Sequence, residues 1–261
     1  MNSKTEKLRP PFKIYGGKKY LSKWILDSLP ELNGEEEYIE PYCGSASVLI
    51  NKKKSQLEVI NDLDPGIIAI FRALRDESSL FVKKLKKIEY KKESFDKALT
   101  KNEFDNNINY AINEFILRRM SRGGMKKSFS ASEVKDTNHW LTIIEELPII
   151  SKRIKNCFIF NKPATDVIKA FNHENTICYV DPPDLQETRN LSDTCEYEMN
   201  TDDHIELSKV LIDFKGKAII SGYYSTLYKR LYKEWKCIKK AIPNNTSQTK
   251  TKKTECIWIN Y

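Results

Sequence analysis

Four short stretches of the chain combine residue types able to hold a ligand or assist a group transfer. The run Glu40-Pro41-Tyr42-Cys43-Gly44-Ser45-Ala46-Ser47-Val48 follows a strand-like pair, Tyr38–Ile39, and precedes a helical pattern. A turn of small residues there lets a ligand approach the backbone closely, at the carboxyl end of a strand where α/β sheets bind ligands. The same composition also suits an ordinary strand-to-helix turn. Ile60-Asn61-Asp62-Leu63-Asp64 ends the next strand, where a carboxylate can accept the hydroxyl hydrogens of a ribose. Asp62 is equally suited to cap a helix before Pro65. In Tyr179-Val180-Asp181-Pro182-Pro183-Asp184, two prolines stop a ladder and hold the chain extended, leaving carbonyls for a ligand. An acidic residue before them can accept hydrogen bonds from an exocyclic amino group; the alternative is a simple strand terminator. Gly16-Gly17-Lys18, in the run Phe12–Lys18, is too short for a phosphate loop of the G-x-x-x-x-G-K-[ST] type.

The elements that must position these residues are legible in the hydrophobic pattern. Short apolar, β-branched or aromatic runs predict buried strands at Tyr38–Ile39, Leu57–Ile60, Cys157–Phe160, Thr176–Val180, Ala218–Ser221, Cys237–Ile242 and Glu255–Ile259. Helical periodicity predicts helices over Tyr20–Leu29, Pro65–Leu74, Asn109–Met120 and Asp202–Phe214, the last with Thr201 as its N-cap. Strands alternating with helices imply an α/β fold with a largely parallel sheet. The section from about 76 to 150 lacks a strand rhythm and reads as a mostly helical insertion. Its lysines at 83, 84, 86, 87, 91 and 92 read as a solvated helix face.

Composition narrows the class. Hydrophobic residues make up 40% of the 261, enough for one sizeable domain with an insertion or two small ones. There is no collagen-like or low-complexity bias, no apolar run long enough to span a membrane, and no apolar core in the charged N-terminus for a signal peptide. The six cysteines form no C-x-x-C pair and several fall in strand-like runs, which reads as reduced thiols in a cytoplasm; the three histidines lie at no zinc-ligand spacing from them. The net charge of +8 is zoned: residues 166–216 carry −8, whereas residues 76–165 and 217–261 carry +6 and +8. The basic excess suggests a polyanion partner.

Taken in order, Phe12–Lys18, Glu40–Val48, Asn61–Asp64 and Asp181-Pro182-Pro183 resemble the DNA N6-adenine methyltransferases of the Dam type (D12 class). The likeness continues in Leu185–Arg189, Ser221-Gly222-Tyr223 and Lys253–Tyr261, and covers nearly the whole chain except the insertion. The resemblance implies a Rossmann-like methyltransferase sheet, S-adenosylmethionine as cofactor, and an adenine flipped out of double-stranded DNA as substrate. It assigns Ile14, Tyr15, Lys18, Glu40, Pro41, Cys43, Gly44, Ser45, Asp62 and Asp181 to the cofactor, and Asp181, Pro182, Pro183 and Asp184 to the catalytic motif. In that motif Asp181 and the Pro182 carbonyl accept the N6 hydrogens. Residues 1–75 and 151–261 are expected to form the catalytic domain, with residues 76–150 as the target-recognition region, where Arg118, Arg119, Arg122, Lys126, Lys127 and Ser128 contact DNA. No metal and no membrane are implied; the expectation is a monomer or weak dimer in a bacterial or phage-infected cytoplasm, associated with the nucleoid through DNA.

Two positions depart from the family pattern. The catalytic motif ends in Asp184 where the family has an aromatic residue, usually tyrosine, that stacks on the flipped base. Three readings stay open: a tolerated variant, a DNA- and cofactor-binding homologue impaired in catalysis, and a transferase of altered base or group specificity. The second departure is Ala46, where the cofactor turn often has glycine. That change is mild unless the position needs a positive φ.

Overall fold

The computed structural model describes residues 7–18, 20–100, 107–130, 133–185, 197–243 and 252–261. Cys195, Lys250 and residues 186–189 of the Leu185–Arg189 likeness lie outside them. In chain order the elements are α1 (Ser22–Leu26), β1 (Glu37–Glu40), β2 (Leu57–Asn61), α2 (Pro65–Asp76), α3 (Ser78–Leu85), α4 (Lys92–Thr100), α5 (Ile108–Met120) and α6 (Glu133–Ile154). They continue as β3 (Phe158–Phe160), α7 (Ala164–Ala170), β4 (Thr176–Val180), α8 (Thr201–Ile212), β5 (Lys217–Tyr223), α9 (Thr226–Leu231), β6 (Lys236–Pro243) and β7 (Lys252–Ile259). Every predicted strand is present. The predicted helix over Tyr20–Leu29 shortens to α1, because turn hydrogen bonds from Ser28 and Leu29 to Ile25 and Leu26 tighten its end ahead of Pro30.

The chain divides into two compact units. Unit two comprises Lys23–Cys43, Lys53–Leu63 and Lys162–Tyr261. Its strands run in the order β2-β1-β4-β5-β7-β6, with β2, β1, β4 and β5 parallel and β7 antiparallel to both neighbours. The α/β, Rossmann-like expectation is met. All five residues of β4 are buried, which is why this strand is continuously apolar rather than alternating. The order reverses at β1: β2 lies on one side of it and β4 on the other. The carboxyl ends of β1 and β4 therefore flank a topological switch point, where open α/β sheets bind ligands. Helix α8, which connects the parallel neighbours β4 and β5, begins with a capping box built on Asn200 rather than Thr201. The Asn200 side chain accepts from Asp202 N and Asp203 N at 2.8 and 3.0 Å, and Asp203 answers at 2.7 Å. Asparagine presents its carbonyl oxygen one position earlier, which leaves Thr201 as the first helical residue.

Unit one comprises Met1–Ser22, Gly44–Lys52 and Asp64–Asn161. Residues 76–150 within it carry helices and one isolated bridge, Ser121–Phe129. Its core is aromatic: Phe12 packs on Phe71, and Phe115 on both Phe81 and Trp140, with ring centroids 5.5–5.7 Å apart. Lysines 83, 86, 87, 91 and 92 are exposed, as expected, but they do not form one helix face, because Lys86, Lys87 and Lys91 lie between α3 and α4.

A buried ion network runs through this unit. Asp64, and not Asp62, caps α2, accepting from Gly66 N at 2.8 Å and Ile67 N at 3.3 Å, with Pro65 in the first helical turn. Its other oxygen takes the Arg118 guanidinium at 2.6 Å, and Arg118 reaches Glu114 one helical turn back at 3.1 Å. The Lys126 ammonium closes the chain on Glu114 at 3.3 Å. Arg118 also sits over the Phe12 ring, 5.7 Å from its centroid. Gly66 makes the arrangement possible, because a β-carbon there would overlap the Glu114 carboxylate.

Burial alone would raise the Asp64 carboxyl, but Arg118, Lys126 and the hydrogen bonds from Arg118 and Ile67 outweigh it and hold it below the usual carboxylate range. A carboxylate depressed on folding contributes stability that is full above its unfolded pKa, near ~3.9, and disappears as pH falls through the folded value. The substitution Asp64→Asn keeps a capping oxygen but removes the charge. Its stability deficit against wild type, measured by urea unfolding, is expected to be largest near pH 7 and to shrink below about pH 4. A deficit independent of pH would mean that the ion pair contributes nothing.

Candidate active site

In unit two the site is assembled where β4 stops. Pro182 has no amide hydrogen and keeps the preceding residue extended, so Asp181 leaves the strand without turning into a helix. The parallel register pairs Tyr179 with Ile219 and Val180 with Ile220, which brings Ser221 beside Asp181. Ser221 Oγ donates to Asp181 Oδ1 at 2.7 Å, and the Tyr179 hydroxyl lies 3.1 Å from the same Oγ. Pro182 is buried, while Asp181, Pro183 and Asp184 are half-buried. Leu185 then lines a cavity of about 430 Å³ with Met199, Asn200, Thr201, Thr226, Leu227 and Arg230.

The turn after β1 is tied to the end of β2 by Asn61. Its side chain donates to the Pro41 carbonyl at 2.8 Å and to Lys162 O at 3.0 Å, and its own carbonyl accepts from Cys43 N at 2.8 Å. Glu40 is buried and accepts from Tyr38 Oη at 2.9 Å. Burial first, then Glu40, pushes the Tyr38 phenol well up. Asp62 is half-buried just beyond β2. The Tyr42 phenol is also raised, by burial first and then by surrounding groups that include Asp203, Asp62 and Glu206. Three carboxylates thus add to the effect of burial on this phenol.

In unit one, Ile14 lies near Gly44, and Tyr15 and Lys13 lie near the glycines of the basic loop. Gly17 N bonds to Ile14 O at 3.2 Å, turning the chain back on itself; Lys18 is 5% exposed and Ser45 buried. A β-carbon on Gly44 would lie 3.5 Å from Ile14 Cδ1, ordinary contact. One on Gly123 would lie 3.8 Å from the Tyr15 ring, and one on Gly124 would overlap the Lys13 carbonyl. Gly44 and Ala46 both take left-handed conformations, with φ of 48° and 51°. The turn therefore does require positive φ at Ala46. The alanine is strained by about 1–2 kcal/mol rather than being a mild replacement.

The basic residues divide by exposure. Arg118 and Arg119 are 3% and 5% exposed, with Arg118 engaged by Asp64 and Glu114. Lys126, itself at φ 61°, is half-buried on Glu114. Arg122, Lys127 and Ser128 are exposed. The stretch expected to contact DNA as a whole is thus split between buried and exposed members. The i,i+4 spacing of Glu114 and Arg118 signals that the two can pair, but not that they face inward. Sequence reasoning passed over Asn61 as a staple; Ser221 was visible only as part of the Ser221-Gly222-Tyr223 likeness. Among the described residues no cluster of three or more His, Cys, Asp or Glu could hold a metal ion, and the described cysteines are all free thiols.

The model of the D12 class N6 adenine-specific DNA methyltransferase family matches residues 15–249. No curated protein sequence matches the chain. Among solved structures it is similar to the rRNA methyltransferase aviRa from Streptomyces viridochromogenes, with 11% identity, 97% of this chain and 87% of that one covered, and a TM-score of 0.40. It is also similar to a SAM-dependent methyltransferase from Agrobacterium tumefaciens (10%, 97% and 62%, TM-score 0.40) and to a precorrin 8w decarboxylase from Methanobacterium thermoautotrophicum (9%, 92% and 88%, TM-score 0.38).

Two glycines of unit one separate backbone strain from collision. Gly44→Ala adds only a left-handed side chain, and a loss of about 1 kcal/mol is expected in urea unfolding. Gly124→Ala, at φ 77°, must also displace the Lys13 carbonyl and is expected to cost clearly more. Equal losses would show that the basic loop yields freely.

Proposed function

The chain belongs to the D12 class N6 adenine-specific DNA methyltransferase family, and from that premise we propose that it methylates the N6 of an adenine flipped out of double-stranded DNA. The observation that carries this reading is Asp181-Pro182-Pro183 at the carboxyl end of β4, with the carboxylate hydrogen-bonded by Ser221. The cofactor is S-adenosylmethionine, which supplies the methyl group on a sulfonium sulfur. The residues fit it: half-buried Asp62 can accept ribose hydroxyl hydrogens, and the carboxylates that act on Tyr42, Asp203, Asp62 and Glu206, suit a sulfonium cation. The Gly44–Ala46 turn takes the left-handed conformations of a backbone shaped for close approach. Glu40, Pro41, Cys43, Gly44, Ser45, Ile14, Tyr15 and Lys18 complete the proposed cofactor set.

In this mechanism Asp181 and the Pro182 carbonyl accept the two N6 hydrogens. Adenine N6 is a poor nucleophile because its lone pair is delocalised into the ring. Two acceptors placed to favour a pyramidal nitrogen draw that pair out of the ring, and fixed orientation supplies the rest. Extrusion of the base costs a few kcal/mol of stacking. Residues 1–75 and 151–261 are read as the catalytic part and residues 76–150 as the target-recognition region. Within the latter, exposed Arg122, Lys127 and Ser128 contact the DNA, while Arg118 and Arg119 are buried and Lys126 ties the loop to Glu114. No described helix is long and apolar enough to cross a membrane; the proposed setting is the cytoplasm of a bacterium or phage-infected cell, with the chain a monomer or weak dimer.

A second reading is favoured by one observation, the half-buried carboxylate of Asp184 where the family stacks an aromatic ring. Without that ring, base stacking worth roughly 1–3 kcal/mol is absent, and a binding protein impaired in catalysis, or a transferase of altered specificity, becomes the alternative.

Incubation of the purified chain with S-adenosylmethionine and unmethylated duplex DNA is expected to yield N6-methyladenine by mass spectrometry. Asp184→Tyr is expected to raise turnover about tenfold. No product, with DNA and cofactor binding retained, would move the assignment to the impaired homologue. A fall in activity on Asp184→Tyr would give the aspartate a role of its own. Separately, Arg122→Ala and Lys127→Ala are each expected to lower the slope of log affinity against log salt by about 1, whatever the DNA sequence. Unchanged slopes would remove these residues from the interface.

A further inference from the structure

We infer that Tyr179 and Ser221 form a hydrogen-bonded relay that fixes the orientation of the Asp181 carboxylate, making Ser221 a positioning residue for the methyl transfer proposed above, on which this inference rests. The three residues come from neighbouring parallel strands of unit two. Tyr179 and Asp181 are two positions apart and project to the same side of β4 and its extension. The register sets Ser221 alongside them. Tyr179 and Ser221 are 3% and 1% exposed, so neither hydroxyl exchanges its partner readily with bulk water.

The direction of the chain follows from its end. An ionised carboxylate only accepts, so the 2.7 Å contact requires Ser221 to donate its single hydrogen to Asp181 Oδ1. Tyr179, 3.1 Å away, must then donate to Ser221 Oγ rather than accept from it. The Val180 carbonyl is the competing acceptor for the Ser221 hydrogen, but at 3.4 Å it is the poorer one. Each donor polarises the next, which strengthens the bond to the carboxylate. With Oδ1 engaged, the carboxylate plane is set, and so is the direction of its second oxygen. A carboxylate that rotates freely would spend little time aimed at an amino group, and misplacement by an ångström is costly to a reaction that depends on orientation.

Steady-state methylation of unmethylated duplex DNA by Ser221→Ala, Ser221→Thr, Tyr179→Phe and the double variant Tyr179→Phe/Ser221→Ala tests the relay. Ser221→Ala is expected to lower kcat roughly 10- to 100-fold while the KM for S-adenosylmethionine stays within about twofold. Ser221→Thr keeps a hydroxyl and should retain most of the turnover. Tyr179→Phe keeps the ring and its packing, and should lose a smaller factor of about 3 to 10. Because Tyr179 acts through Ser221, the double variant should be no slower than Ser221→Ala alone. Unchanged kcat in Ser221→Ala, a loss carried by KM, or losses that multiply in the double variant would each overturn the relay. A wild-type chain that makes no product defeats the methyl-transfer reading instead. Crystal structures of wild type and Ser221→Ala then decide the relay: a carboxylate turned away from its wild-type rotamer supports it, and an unmoved one overturns it.

Discussion

The chemistry proposed for this chain depends on where β4 ends. Five fully buried residues drive the strand into the middle of the sheet, and Pro182 halts the ladder one residue beyond Asp181. The stop falls beside the reversal of strand order, so the first polar side chain to leave the strand does so where a ligand can reach it. Register makes this a discrete choice. Side chains alternate between faces, and a slip of one residue would send Asp181 to the other side of the sheet, away from Ser221. The burial that stabilises β4 and the placement of its carboxylate are therefore one constraint.

Unit one is organised by charge where unit two is organised by register. Asp64, Arg118, Glu114 and Lys126 sum to zero, and their bonds join the start of α2, the body of α5 and the basic loop. A neutral network of this kind contributes little net stability, but removal of a single member leaves a buried charge and costs several kcal/mol. Its effect is to determine which basic residues remain outside. Glu114 and Asp64 draw Arg118 and Lys126 inward, and the loop that closes over them leaves Arg122, Lys127 and Ser128 at the surface. Lys13, whose carbonyl Gly124 admits to close contact, gives the loop its floor.

The strands were legible because their burial is written in continuous apolar runs, and the four motifs were legible because each sits at a strand end with turn-forming residues. What escaped was decided by three-dimensional packing. Ten of the thirteen residues of α5 are buried, so the stripe Ile112, Phe115, Ile116 and Met120 describes only part of its buried surface. Arg118 and Arg119 share that burial, which no periodicity argument could have assigned to them. The caps escaped for a smaller reason: Asn200 and Thr201, or Asp62 and Asp64, are equally good capping types, and only the backbone decides which one faces the free amides.

The two departures from the family pattern differ in where their cost falls. Ala46 takes the left-handed conformation that the turn demands, with φ at 51°, so the path of the backbone is kept and the strain is charged to stability. Nothing a ligand would touch need change. Asp184 is of another kind. It follows two prolines and is half-buried, so exchanging a ring for a carboxylate changes what the end of the motif offers to a ligand. A flat hydrocarbon face is exchanged for a negative charge and the field that it exerts. Such a field disfavours any anionic group, whereas a neutral amino group or a sulfonium cation remains compatible with it. Under the proposed reading, the substitution removes a stacking face without making the site hostile to the reactants themselves, and its effect should fall on how firmly the base is held.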